Sequence, residues 1–154
     1  MRPRANTLGL IIKGNYILLE EQNRKHSQGN GIYYRPVGGT IELGERSEEA
    51  LVREYKEEIG ADIEIIQYID CIENIYKIDD NIGHEITLLY TVKFKDEALY
   101  QQETFTVEDV GKRTVAKWIP LDDIMHERVI LYPVGLSALI KQQFKITNII
   151  APNN

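Results

Sequence analysis

A glycine-bounded helix constrains this chain more than any other feature. Gly38 and Gly39 open a polar loop, a helical pattern begins at Ser47-Glu48-Glu49-Ala50, and Gly60 closes it. Spacings of three and four residues bring helix side chains onto one face. Glu54, Glu57 and Glu58 therefore form one acidic stripe. On a wheel of about 100° per residue, Leu51, Tyr55 and Ile59 form an apolar stripe beside it. The apolar side can dock on a core while the acids face a cleft. Ser47 is the expected N-cap, and Gly60 is the expected C-cap glycine.

Three carboxylates on one stripe repel each other. Two of them about 6 Å apart, at an effective dielectric of about 20, do so by about 2–3 kcal/mol. A divalent cation between them turns that repulsion into attraction, and hard oxygen donors suit Mg2+ or Mn2+. The plainer alternative is a solvated helix face, because glutamate is a good helix former. The context weighs against it: Arg35-Pro36-Val37-Gly38-Gly39 runs directly into the segment, and paired glycines let backbone approach a ligand closely.

The string resembles the signature of the Nudix hydrolases. Gly39, Glu45, Arg53, Glu54, Glu57, Glu58 and Gly60 stand at the fixed positions of that pattern, within residues 39–61 of 154. Tyr55 and Ala61 depart from its aliphatic positions without removing a ligand. The resemblance implies an α/β (α+β) fold, an α/β/α sandwich with a mixed β-sheet between helices. It also implies hydrolysis of a nucleoside diphosphate linked to another group. Under it, Glu54, Glu57 and Glu58 are the catalytic and metal-binding acids. Glu57 and Glu58 are the principal ligands, Glu54 is ligand or base, and the carbonyl of Gly39 is a further ligand. Glu45 and Arg53 form the motif's structural ion pair. The cofactor is Mg2+, with Mn2+ as a substitute, and the chemistry is water attack at phosphorus assisted by metal.

Length and composition set the frame. A chain of 154 residues with 43% hydrophobic and 27% charged content suits one soluble domain. We expect a single domain over 1–154, with 148–154 as a tail. A net charge of −6 argues against nucleic-acid binding, which uses a basic surface. No apolar window is long enough to span a membrane and no signal peptide is evident, so the expectation is a cytoplasmic protein without a membrane partner. The lone Cys71 cannot form an internal disulfide and is expected to be a packed thiol. The partner implied is a small nucleotide-type substrate, and a homodimer is left open.

Strands are expected at 8–12, 16–20, 32–37, 63–78, 85–95 and 114–119, with a hairpin turn at Asp79-Asp80-Asn81-Ile82-Gly83. Residues 21–31 read as a mobile loop and 96–111 as an irregular acidic segment. Helices are expected at 46–59, just after Pro120, and at 133–144, where Pro133 sits in the first turn.

Four further residues are candidates for substrate contact: Tyr34, Arg35, Glu85 and Glu108. Strand neighbours alternate, so one of Tyr33 and Tyr34 should face the cleft. Arg35 meets a phosphate or pairs with an acid, and Arg4 shares that ambiguity. Glu85 looks into the cleft by alternation. Among Glu97, Glu103, Glu108 and Asp109, Glu108 is the favoured second-loop acid. His26, His84 and His126 give no zinc pattern. A hydrolase stands first among the functions, a catalytically silent nucleotide-binding module second, and an interaction protein with an ordinary acidic helix third.

Overall fold

The computed structural model describes residues 2–150, with side chains described through residue 143. The strands are β1 (Arg4–Leu10), β2 (Ile12–Lys13), β3 (Tyr16–His26), β4 (Gly29–Arg35), β5 (Val37–Thr40), β6 (Ile63–Ile78), β7 (Asn81–Phe94), β8 (Thr104–Asp109) and β9 (Lys112–Pro120). The helices are α1 (Ser47–Ile59), α2 (Leu121–Met125) and α3 (Leu136–Ile150), with a 3-10 turn at Glu97–Gln101. The expected tail at 148–154 thus begins inside α3, and residues 151–154 lie outside the described residues.

The strands form two sheets rather than one. The first runs β5-β1-β7-β6 and the second β2-β3-β9-β8, with β4 added along the outer half of β3. β1 and β7 run parallel and every other strand pair is antiparallel. Chain segment 29–40 changes sheet at Pro36, which has no amide proton to give a ladder. Arg35 therefore ends in the second sheet and Gly39 in the first.

Alternation along the strands builds a core on each face. Leu18, Tyr90, Val92 and Phe94 pack with Leu51 and Tyr55 of α1. Ile17, Leu19 and Leu89 pack with Leu121 and Ile124 of α2 and Leu136 and Ile140 of α3. Strands between helices on both sides are the layering that the resemblance implied.

Two segments read as irregular are ordered. The polar stretch 21–31 forms the β3–β4 hairpin, paired from Glu20↔Arg35 to His26↔Gly29. Its strand character comes from cross-strand hydrogen bonds, not from apolar content. Segment 96–111 contains the 3-10 turn and all of β8. β6 spans the expected residues and bends at register shifts near Ile65/Gln67 and Tyr68/Asp70. Those shifts break the face alternation, and Cys71 emerges as an exposed free thiol, not a packed one.

Candidate active site

α1 begins one residue earlier than a serine cap would allow. Arg46 is the N-cap and makes no side-chain cap bond. Ser47 is already helical, and its hydroxyl lies 2.6 Å from the Tyr90 hydroxyl. The C-terminus follows expectation, with Gly60 in the left-handed region at φ 69°. Tyr55 is fully buried and donates a hydrogen bond to the Gly9 carbonyl at 2.8 Å. That bond and ring tie α1 to β1 where an aliphatic residue gives contact alone. Ala61 is buried in the same core.

Arg53 organises the loop before the helix. Its Nε and Nη2 donate to the two oxygens of Glu45 at 2.7 and 2.9 Å, and Nη2 also donates to the Thr40 carbonyl at 3.0 Å. Its Nη1 reaches Glu54 at 3.0 Å and Glu57 at 3.1 Å. The Glu45–Arg53 pair is therefore present and bidentate. Arg53 holds the Glu45 carboxyl at about 2, with help from the Glu42 amide.

The acidic stripe splits by depth. Glu57 is exposed and held by Arg53. Glu54 and Glu58 line a cleft of about 530 Å³ between the two sheets, together with Gly39, Arg35 and Glu85. Glu58 is 7% exposed, and its Oε2 is buried with no hydrogen-bond partner among the described residues. Burial pushes its carboxyl up to about 8. The negative charges of Glu20, Glu54 and Asp109 add to that rise, against a smaller pull from Arg35. Burial likewise raises Glu54, against the guanidinium of Arg53. Backbone and acid meet closely at Gly39, where a Cβ would lie 2.5 Å from Glu54 Cδ. At Gly38 a Cβ would lie 2.1 Å from the Thr7 carbonyl oxygen. Only glycine fits at Gly38, where the contact is backbone; at Gly39 a side chain would displace the Glu54 carboxylate.

The remaining candidates divide. Arg35 lines the cleft, and its buried Nε lacks a partner among the described residues. Glu85 lines it too, 3.5 Å from Arg4 and within 3.4 Å of the Tyr76 hydroxyl. Tyr34 does not reach it: the ring belongs to the α3-side core and its hydroxyl donates to Glu21 at 2.8 Å. Tyr33, of opposite parity, lines the cleft. Glu108 turns outward to Arg113 at 2.8 Å, and its neighbour Asp109 lines the cleft. Two further residues escaped the sequence reading. Glu20 is buried, accepts from Thr114 at 2.9 Å and from Gln22, and adds negative charge at Glu58. It shares its face with Leu18, two residues back, so a charge closing the run Ile17-Leu18-Leu19 was its available signal. His26 lines the cleft at the end of β3.

A family model for the NUDIX domain matches residues 2–134. The chain belongs to the Nudix family. This Nudix protein is 36% identical over 92 residues to an ADP-ribose pyrophosphatase of Methanocaldococcus jannaschii, a match covering 58% of this chain and 50% of the relative. The chain thus spans about half the length of that curated relative. Solved structures share the fold. A NUDIX hydrolase from Nitrosomonas europaea matches with TM-score 0.67 at 16% identity, over 95% of this chain and 90% of that one. A MutT protein from Methanosarcina mazei matches with TM-score 0.65 at 15% identity, over 95% and 96%.

The donors of this Nudix site suit a divalent cation. Among the described residues no three acids or histidines are gathered into a ready shell. Even so, the unpartnered Glu58 oxygen, with the charges of Glu54, Glu20 and Asp109 acting on it, is the environment a hard dication would satisfy. Among the described residues no helix is long and apolar enough to cross a membrane.

Proposed function

We propose that this Nudix protein hydrolyses the diphosphate linkage of a small nucleotide-type molecule, a nucleoside diphosphate joined to a second group, with Mg2+ as cofactor and Mn2+ as its substitute. The buried, unpartnered carboxylate oxygen of Glu58 carries this reading. Burial and like charge raise that carboxyl to about 8, an arrangement that costs stability and that a bound cation would offset. Glu58, Glu54 and the Gly39 carbonyl would hold the ion, with Glu57 available once released from Arg53.

Such an ion, when bound, neutralises phosphate oxygens and lowers the pKa of water. The chain supplies the rest. Arg4, Arg35 and Lys112 line the cleft and draw in an anion despite the chain's net charge of −6. The buried Arg35 Nε is a donor awaiting an acceptor such as a phosphate oxygen. The attacking water's oxygen bonds to phosphorus, the bridging P–O bond breaks, and Asp109, whose side chain lines the cleft beside Glu58, would take the water's proton. The products are two phosphate monoesters, or a monoester and inorganic phosphate or pyrophosphate. The relative named as an ADP-ribose pyrophosphatase supports ADP-ribose as the first substrate to try.

The test incubates the protein with Mg2+ and a panel holding ADP-ribose, nucleotide sugars, dinucleoside polyphosphates and nucleoside triphosphates, with chromatographic detection of products. We expect metal-dependent cleavage of at least one, lost in Glu58→Gln. Saturable binding with no product from any of them would establish the silent nucleotide-binding module instead.

A further inference from the structure

The cleft is long, and it is lined at its far end by His26, whose buried Nε2 no described residue uses. β3 runs from Glu20, which acts on Glu58, to His26, six residues on. At about 3.3 Å per residue that is about 20 Å along the strand. A diphosphate placed at the acids does not span this distance. Whatever reaches His26 is the organic group attached to it.

His26 is 7% exposed and lines the cleft. One side of its ring is committed. Nδ1 lies 3.0 Å from the Tyr132 hydroxyl and accepts the Gln28 amide proton at 3.3 Å. The Tyr132 hydroxyl is in turn 2.8 Å from the Ser27 hydroxyl. Because the Gln28 amide can only donate, Nδ1 carries a lone pair, and the neutral ring keeps its proton on Nε2. Tyr33 and Tyr132 meet the imidazole edge-on at 5.0 and 5.5 Å between centroids and fix its plane. The Nε2 atom is buried and has no partner among the described residues. A buried donor left unmade is costly, so a ring held this firmly around one is a site built for an acceptor.

Resting on the hydrolase reading for what fills the acid end, we propose that His26 Nε2–H is a specificity-determining donor for an acceptor atom on the group attached to the diphosphate. That acceptor is either a hydroxyl oxygen of a sugar or a heteroatom of a nucleobase. His26 would thus select among molecules that share the same cleavable anhydride.

Two variants and one spectrum test this. His26→Asn keeps an acceptor near the Nδ1 position and removes the Nε2 donor. His26→Gln returns an amide donor near the Nε2 position. With ADP-ribose as probe we expect KM to rise about 10-fold in His26→Asn, with kcat moving less than KM, and His26→Gln to recover most of the loss. An equal KM rise with ATP assigns the acceptor to the shared adenosine, and a rise confined to ADP-ribose assigns it to the terminal ribose. Unchanged KM for both, or a fall in kcat alone, overturns the proposal. A 15N spectrum of the histidines gives a readout independent of turnover. It should show His26 protonated on Nε2 in the free protein, with that resonance shifting when ADP-ribose or ATP saturates the chain. A proton on Nδ1, or a resonance that neither nucleotide moves, also overturns it. Saturation without product sinks the hydrolase reading alone, and the His26 assignment is then decided by the spectrum.

Discussion

Glu58→Gln should make the metal-free protein more stable while removing its chemistry. Burial, reinforced by the charges of Glu20 and Glu54, holds the Glu58 carboxyl at about 8 against its ordinary 4.5. Between those values the unfolded chain is ionised and the folded chain is protonated. The native state binds the extra proton, so the contribution of Glu58 to stability is intact below pH 4.5 and declines as pH rises toward 8. Across a shift of about 3.5 units, at 1.36 kcal/mol each, the decline is about 5 kcal/mol. That is comparable with the whole stability of a marginal domain. Glutamine has nearly the same shape and no charge to bury, so the variant lacks this decline. Urea unfolding followed by circular dichroism, in EDTA from pH 4.5 to 9, isolates it as the difference between the two proteins. We expect similar midpoints at pH 4.5 and a variant more stable by about 3–5 kcal/mol above pH 8. Saturating Mg2+ should then stabilise the wild type and leave the variant nearly unmoved. A difference that stays flat from pH 5 to 8 in EDTA would refute the reasoning, because Glu58 would then be ionised and solvated in the folded chain.

Two other substitutions probe the same wall of the cleft. In Gly39→Ala the new Cβ meets the Glu54 carboxylate oxygens at 2.6 and 2.7 Å, so the acid must swing away. Hydrolysis should fall about 100-fold, the order that ångström-scale misplacement costs, while circular dichroism shows an unchanged fold; full activity would mean that Glu54 needs no fixed position. Asp109→Asn should lower kcat by about 10²–10⁴-fold as a lost proton acceptor. Glu108→Gln breaks only an exposed pair with Arg113 and should leave kcat within about twofold. The reverse pattern in steady-state kinetics would return the role to Glu108.

The loop, helix and glycine stop were legible because they are written as identities at fixed spacing, and each identity has a local physical job. β6 was legible for a similar reason, since a long β-rich run ends at a turn signal. What escaped depended on partners remote in sequence. Residues 23–25 are Asn, Arg and Lys, which carry no strand signal of their own. They become a strand because β4 lies opposite, with Gly29 and Gly31 at φ values of 132° and 124° that other residues rarely adopt. Alternation showed that only one of Tyr33 and Tyr34 could face the cleft. Which one is set by register against β3, where Tyr34 stands opposite Glu21 and bonds to it. Glu108 and Asp109 pose the same parity question, and it is answered by pairing with Arg113 and Lys112. Cys71 was misread because register shifts in β6 reset which residues point inward.

The distribution of partners among the three helix acids carries a consequence for how the site is loaded. Arg53 engages Glu54 and Glu57 through one nitrogen and Glu45 through two. A guanidinium is thus already neutralising two of the acids, and a cation that recruits them must compete with it. Among the described residues Glu58 has no guanidinium bonded to it: Arg35 lowers its carboxyl less than Glu20 or Glu54 raises it, and below about pH 8 a cation need displace only a proton there. A cation would therefore meet no guanidinium at Glu58 and would have to draw Glu54 away from Arg53. The two bonds of Arg53 to Glu45 would keep the loop anchored if the helix acids changed partners. On this argument Arg53 has two separable effects, holding residues 40–45 in place and restraining Glu54 and Glu57 until a cation arrives.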